Sequence, residues 1–113
     1  LTWGAARDAA REIACQLDAL GLVPGASVAV AAQNSIWSTL CFTGITTGGY
    51  LATPLNLVAG ARVLSHVLGH SGAGLVLCTD DQRDMVEEAI ADVDHDVTII
   101  RLDPDKGPYW PQD

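Results

Sequence analysis

The 113-residue chain is short of positive charge: 6 Lys and Arg stand against 14 Asp and Glu, for a formal net charge of −8. Such a balance repels phosphate backbones and anionic lipid, so neither a nucleic-acid partner nor a charged membrane surface is expected. No CxxC pair occurs. Cys15, Cys41 and Cys78 are widely spaced in apolar surroundings, the pattern of buried, reduced thiols in a cytoplasmic protein rather than of a metal site. A basic start followed by an apolar run is also missing, so no signal peptide is visible.

Charge is absent altogether from Ala19 to Ala61. Pro24, Gly25, Asn34, Gly48, Gly49 and Pro54 interrupt this stretch, and its apolar runs fall short of the ~20 residues that cross a bilayer. It reads as the buried centre of a globular fold, with no membrane span. The chain opens on Leu1 rather than Met, and organised structure starts within a couple of residues. That leads to the expectation of a segment cut from a longer protein.

What is present is a globular composition, 49% hydrophobic and 18% charged, in a chain long enough for one core. Thr2 can cap a first helix over 4–20, with Ala6, Ala9, Ala10, Ile13, Ala14, Leu17 and Leu20 on one face at helical spacing. Gly21 and Pro24 stop it. "SVAVAA", residues 27–32, is unbroken apolar strand, which predicts cover on both faces. Asn34 or Ser35 then caps a second helix whose stripe is Trp37, Leu40, Cys41, Gly44 and Ile45. Ser38, Thr39, Thr43 and Thr46 make its other side, predicted to be covered by neighbouring protein.

A short strand over 50–54 follows, then a helix from Gly60 burying Val63, Leu64, Val67 and Leu68, ended by "SGAG". "LVLC" (75–78) and "VTIIRL" (97–102) are two further strands. Between them lies a fourth helix over 80–92, burying Met85, Val86, Ala89 and Ile90, with Thr79 and Gln82 spaced as a capping box. The proline-rich end, 103–113, has no period and reads as loop or linker. Alternating helices and apolar strands specify an α/β fold with a largely parallel sheet flanked by helices.

"TGITTGGYLATPLN", residues 43–56, has the Thr and Gly content of a phosphate loop. A phosphate loop needs a preceding strand and a Lys, in the spacing GxxxxGK-S/T. Here a helix precedes it, no Lys or Arg occurs between Arg11 and Arg62, and the spacing fails. Gly44 is therefore expected to let helices approach, and Gly48 and Gly49 to end one. His66 and His70 lie four apart on the third helix, a chelating spacing, but no Glu follows the first and no third ligand is marked. They read as surface histidines. Asp80, Asp81 and Asp84 complement the start of the fourth helix. Trp3, Trp37 and Trp110 form no stacking platform; Trp37 is assigned to the core and Trp110 to docking against a neighbour. No nucleophile–base arrangement can be traced.

The order of elements carries a resemblance. "LTWGAARDAAREIACQLDALGLVPGASVAVAAQNS" resembles the start of the adenylate-forming (AMP-binding) enzymes, above all the acyl-CoA synthetases, with their Thr–aromatic pair, Ala/Leu-rich helix and PGDxVA turn. "GITTGGYLATPLN" is similar to the family's GxxxxGAxxxPLN segment, and "LSHVLGHSGAGLVLC" to its helix and strand around DSGAK. The likeness covers residues 1–102. Ala26 replaces the usual acidic residue after PG, Gly60, Arg62 and Val63 replace the usual Thr and Glu, and His70 stands where Asp is common.

The resemblance implies the N-terminal scaffold (1–102, with 103–113 as linker) of a ligase that turns a small carboxylic acid and ATP into an acyl-adenylate and pyrophosphate. The acyl group would then pass to CoA. ATP, Mg²⁺ and CoA are implied for the whole enzyme and none for this segment. The family's Pro-Lys phosphate loop, ribose-binding Asp and catalytic Lys lie downstream of the matched region. No catalytic, cofactor-binding or metal residue is therefore assigned here. The implied partner is the rest of its own polypeptide, and a surface left bare would drive dimers of the fragment. Two alternatives stay open: a carrier-protein-loading adenylation enzyme, and a free-standing α/β binding module without catalysis.

Overall fold

The computed structural model describes residues 2–33, 35–55 and 58–111. Helix α1, Trp3–Ala19, starts where the Thr2 hydroxyl accepts a hydrogen bond from the Ala5 N–H at 3.0 Å. Ala10, Ile13 and Leu17 are its buried residues. Leu20, expected on the same face, is exposed, because the helix stops one residue earlier and Leu20 becomes its C-cap.

Strand β1, Ser27–Ala31, lies inside a five-stranded sheet of order β2-β1-β3-β4-β5. Its companions are β2 (Leu51–Pro54), β3 (Leu75–Cys78), β4 (Thr98–Asp103) and β5 (Gly107–Pro108). The first four run parallel, with Val30 opposite both Pro54 and Leu77, and Leu77 opposite Ile100. The α/β architecture with a largely parallel sheet is the one expected.

Strand pleating sorts the core into two layers. Val28, Val30, Leu75, Leu77, Ile100 and Leu102 point to one face, where they meet α1 and helix α2, Ile36–Thr47. Ala29, Ala31, Val76 and Cys78 point to the other, against α3 (Ala61–Ser71) and α4 (Arg83–Ile90). Both faces of β1 and β3 are thus covered, which is why neither sequence alternates.

Four local expectations are corrected. The stretch after residue 102, read as loop, folds back: β5 pairs antiparallel with β4, Asp103 opposite Gly107. The Asp103 carboxylate accepts from the N–H groups of Asp105 (2.8 Å) and Lys106 (3.0 Å), an Asx-type turn. Trp110, assigned to a neighbour, packs on the chain's own core. Next, Val63 is exposed, since the buried stripe of α3 narrows to Leu64 and Leu68.

Finally, Thr79 and Gln82 make no capping box. Thr79 is buried at the end of β3, where its hydroxyl donates to the Ala31 carbonyl at 3.4 Å. Gln82 donates to Asp81 instead. A single 3-10 turn, Asp80–Gln82, consequently precedes α4.

Candidate functional site

In open parallel sheets, ligands bind beyond the carboxyl ends of strands where the order reverses, here between β1 and β3. The ends of those strands are tied together. The Thr79 N–H donates to the Ala31 carbonyl at 3.2 Å, and the Thr79 hydroxyl bonds the same oxygen. Beside them, Arg101 grips Asp80 through Nε (2.9 and 3.0 Å) and an Nη at 2.9 Å, with Tyr109 stacked on its guanidinium at 4.6 Å. Arg101 and Asp80 are thus paired with each other.

The Thr/Gly stretch is structural, as its spacing indicated. Gly48 caps α2 and Gly49 takes a left-handed φ of +85°. Gly44 is pressed against α1: a Cβ there would sit 2.7 Å from the Ile13 Cβ and 2.8 Å from the Ala10 carbonyl oxygen. At the other end of α2, Ser35 and Ser38 form a reciprocal capping box, with bonds of 3.1 and 2.8 Å. Asn34, the alternative cap, and Asn56 of "PLN" lie outside the described residues.

The α1–α2 seam opens outward into a groove of about 870 Å³, whose lining includes Trp3, Arg7, Ile36, Thr39, Thr43 and Thr47. Trp3 is 93% exposed and Ile36 61%. Two of the groove's three threonine hydroxyls are already bonded along the helix: Thr39 donates to the Ser35 carbonyl and Thr43 to the Thr39 carbonyl, each at 3.0 Å. Methyl groups are what this side of α2 offers a neighbour. Ser38, placed on that side by sequence, is buried as a cap instead. Sequence reasoning singled out the threonines but not Trp3 and Ile36 as rims of one groove. Their juxtaposition comes from the α1–α2 packing, which no local pattern encodes.

The remaining candidates are scattered. His66 and His70 are both exposed on α3, with ring centroids 6.2 Å apart. Asp84 lies in the first turn of α4. Among the described residues, no three His, Cys, Asp or Glu side chains converge closely enough to hold a metal ion. Burial pushes the Cys41 thiol up to about 12 and that of Cys78 to about 11, so neither supplies a thiolate near neutral pH. Cys15, expected to be buried, is exposed on the outer side of α1. Trp37 is a half-buried core residue, as assigned, and lies against Gly107 of β5. No helix among the described residues is long and apolar enough to cross a membrane.

A sequence model of a family described as "AMP-binding enzyme" matches residues 1–112. No curated protein sequence matches the chain. Among solved structures, the chain is similar to a Mycobacterium tuberculosis fatty acyl CoA synthetase, with 26% identity and a TM-score of 0.82 over 98% of this chain and 24% of that one. It is also similar to a benzoate CoA ligase from Burkholderia xenovorans LB400, at 19% identity and a TM-score of 0.85 over 99% and 24%. Apo MatB from Rhodopseudomonas palustris matches at 23% and 0.81, over 96% and 21%. The chain thus spans about a fifth to a quarter of the length of these structures.

Proposed function

The chain belongs to the AMP-binding enzyme family, and from that premise we propose that it is the N-terminal α/β scaffold of an ATP-dependent acid–thiol ligase. In the proposed reaction, a carboxylate oxygen attacks the α-phosphorus of ATP and pyrophosphate leaves. The thiol of CoA then attacks the acyl carbonyl and AMP leaves. The observation that carries this reading is the family match over residues 1–112, supported by fold-level likeness to fatty acyl and aryl CoA ligases.

The residues described here do not fit Mg²⁺–ATP. No set of three donors converges on an ion, and no Lys or Arg lies between Arg11 and Arg62 to meet phosphate. No step of the reaction is therefore derived from them. Their proposed work is mechanical. Because β5 pairs with β4 and Trp110 packs on the core, the proposed subdomain runs past residue 102 to take in this hairpin. The methyl-faced α1–α2 groove seats against the remainder of the enzyme, apolar surface that favours burial. Three unpaired cysteines are in keeping with a cytoplasmic enzyme.

The test has two arms. The enzyme that carries this segment should catalyse ATP–pyrophosphate exchange dependent on a carboxylic acid, and absence of exchange across aliphatic and aromatic acids overturns the ligase reading. Calorimetric titration of the 113-residue chain with Mg²⁺–ATP should show no saturable heat. Binding of micromolar strength would overturn the scaffold role.

A further inference from the structure

All three histidines of the chain line one pocket, although 29 residues of sequence separate the first from the last. The pocket, about 350 Å³, lies between the C-terminal half of α3 and the turn that follows α4. His66 and His70 project from successive turns of α3, their rings near-parallel at 12° and 6.2 Å apart. Both are exposed, and among the described residues no hydrogen bond or ion pair engages either ring. Gly69 between them leaves open space where a side chain would stand. Asp92, Asp94 and His95 line the other side.

We propose that His66 and His70 form a two-point chelate for a borderline divalent cation of the Zn²⁺ class, on the exposed surface of α3. Imidazole nitrogen suits such ions, whereas Mg²⁺ and Ca²⁺ require oxygen donors. To share an ion at ~2.0–2.1 Å from each nitrogen, the near-parallel rings must rotate until an in-plane lone pair of each points at it. Exposed side chains can make that rotation. The i, i+4 spacing on a rigid helix holds them otherwise aligned.

Two further features favour a cation here. Asp92 and Asp94 line the same pocket, and the chain carries a formal charge of −8, so the local field favours a positive ion. His95 has its Nε2 2.8 Å from the Ala73 carbonyl oxygen. A carbonyl only accepts, so Nε2 donates there and is not available to the ion. Since no three donors share one shell among the described residues, the coordination rests on the pair, with water completing it.

The experiment is calorimetric titration of the 113-residue chain with ZnCl₂ and, separately, MgCl₂, with imidazole proton NMR in parallel. Zn²⁺ alone should bind saturably and shift the His66 and His70 ring signals. His66→Ala and His70→Ala, both at exposed positions, should each weaken binding about tenfold or more, while Cys15→Ser leaves it unchanged. Absence of saturable Zn²⁺ binding overturns the proposal. So does binding that survives the double variant, or that disappears with Cys15→Ser, since the exposed thiol would then be the ligand.

Discussion

The two helical layers that cover the sheet solve the same burial problem in different ways. On one side, α2 carries no charged residue and is locked to α1 at Gly44, where a Cβ would meet Ile13 at 2.7 Å. On the other, α4 is amphipathic, with Val86 and Ala89 buried and an outward Arg83–Glu87 ion pair at 2.8 Å. The α3/α4 layer leaves Val63 exposed, whereas the α1/α2 layer sets Trp3 and Ile36 beside an apolar groove. Tight packing inward and methyl groups outward are what a layer needs when it lies between two bodies of protein.

The sharpest way to break this contrast is to force the seam. Gly44→Val puts two methyl groups where a single Cβ already meets Ile13 and the Ala10 carbonyl, and a backbone carbonyl within α1 cannot swing away as a side chain can. The expected loss is about 3 kcal/mol, read as a lower urea midpoint. A variant as stable as the parent would mean that α1 and α2 slide freely. The distinction between a locked layer and a solvated one would then fail.

A smaller effect separates the starts of the two layers. The Ser35–Ser38 box satisfies two backbone N–H groups at the beginning of α2. Helix α3 starts at Gly60 with no side-chain cap at all. Gly60 has φ +91° and ψ 168°, a region open essentially to glycine, so a Ser or Thr cap cannot simply be installed. Ser35→Ala should cost about 1 kcal/mol, measured in the same unfolding series. A change near zero would show that the buried Ser38 hydroxyl, which also donates to the Ser35 carbonyl at 2.9 Å, carries the cap alone.

Most of this architecture was legible in the residues because it rests on local periodicity. "SVAVA" and "LVLC" lack alternation, and both faces of their strands are indeed buried. The Thr2 cap and the Gly48–Gly49 stop involve neighbours in sequence and were read from them. What escaped depends on distant partners. Thr79 has the spacing of a cap, yet its place at the end of β3 gives its hydroxyl the Ala31 carbonyl, 48 residues away. The β4–β5 hairpin escaped because its second strand is two residues long and contains Pro108. The Trp37 indole reaches it from α2, donating to the Asp105 carbonyl at 3.3 Å. Burial likewise separated Cys41 and Cys78 from Cys15, since an apolar neighbourhood in sequence does not say which side of α1 faces water. The groove was half legible: an uncharged helix face announced a neighbour, but the rim residues meet only after folding.

The smallest predicted effect runs in the opposite direction and sharpens the comparison most cleanly. Gly69 lies within α3, as Gly44 lies within α2. A Cβ at Gly69 would meet nothing within 4 Å. Glycine inside a helix loses more backbone entropy on folding than alanine does, so Gly69→Ala should stabilise the chain by about 0.5–1 kcal/mol. The same substitution at Gly44 must destabilise it. Two glycines with identical backbone propensity would then differ in sign solely through what stands opposite them. If Gly69→Ala instead lowers the urea midpoint, the open space beside Gly69 on α3 is occupied in solution, and the contrast between the two glycines is wrong.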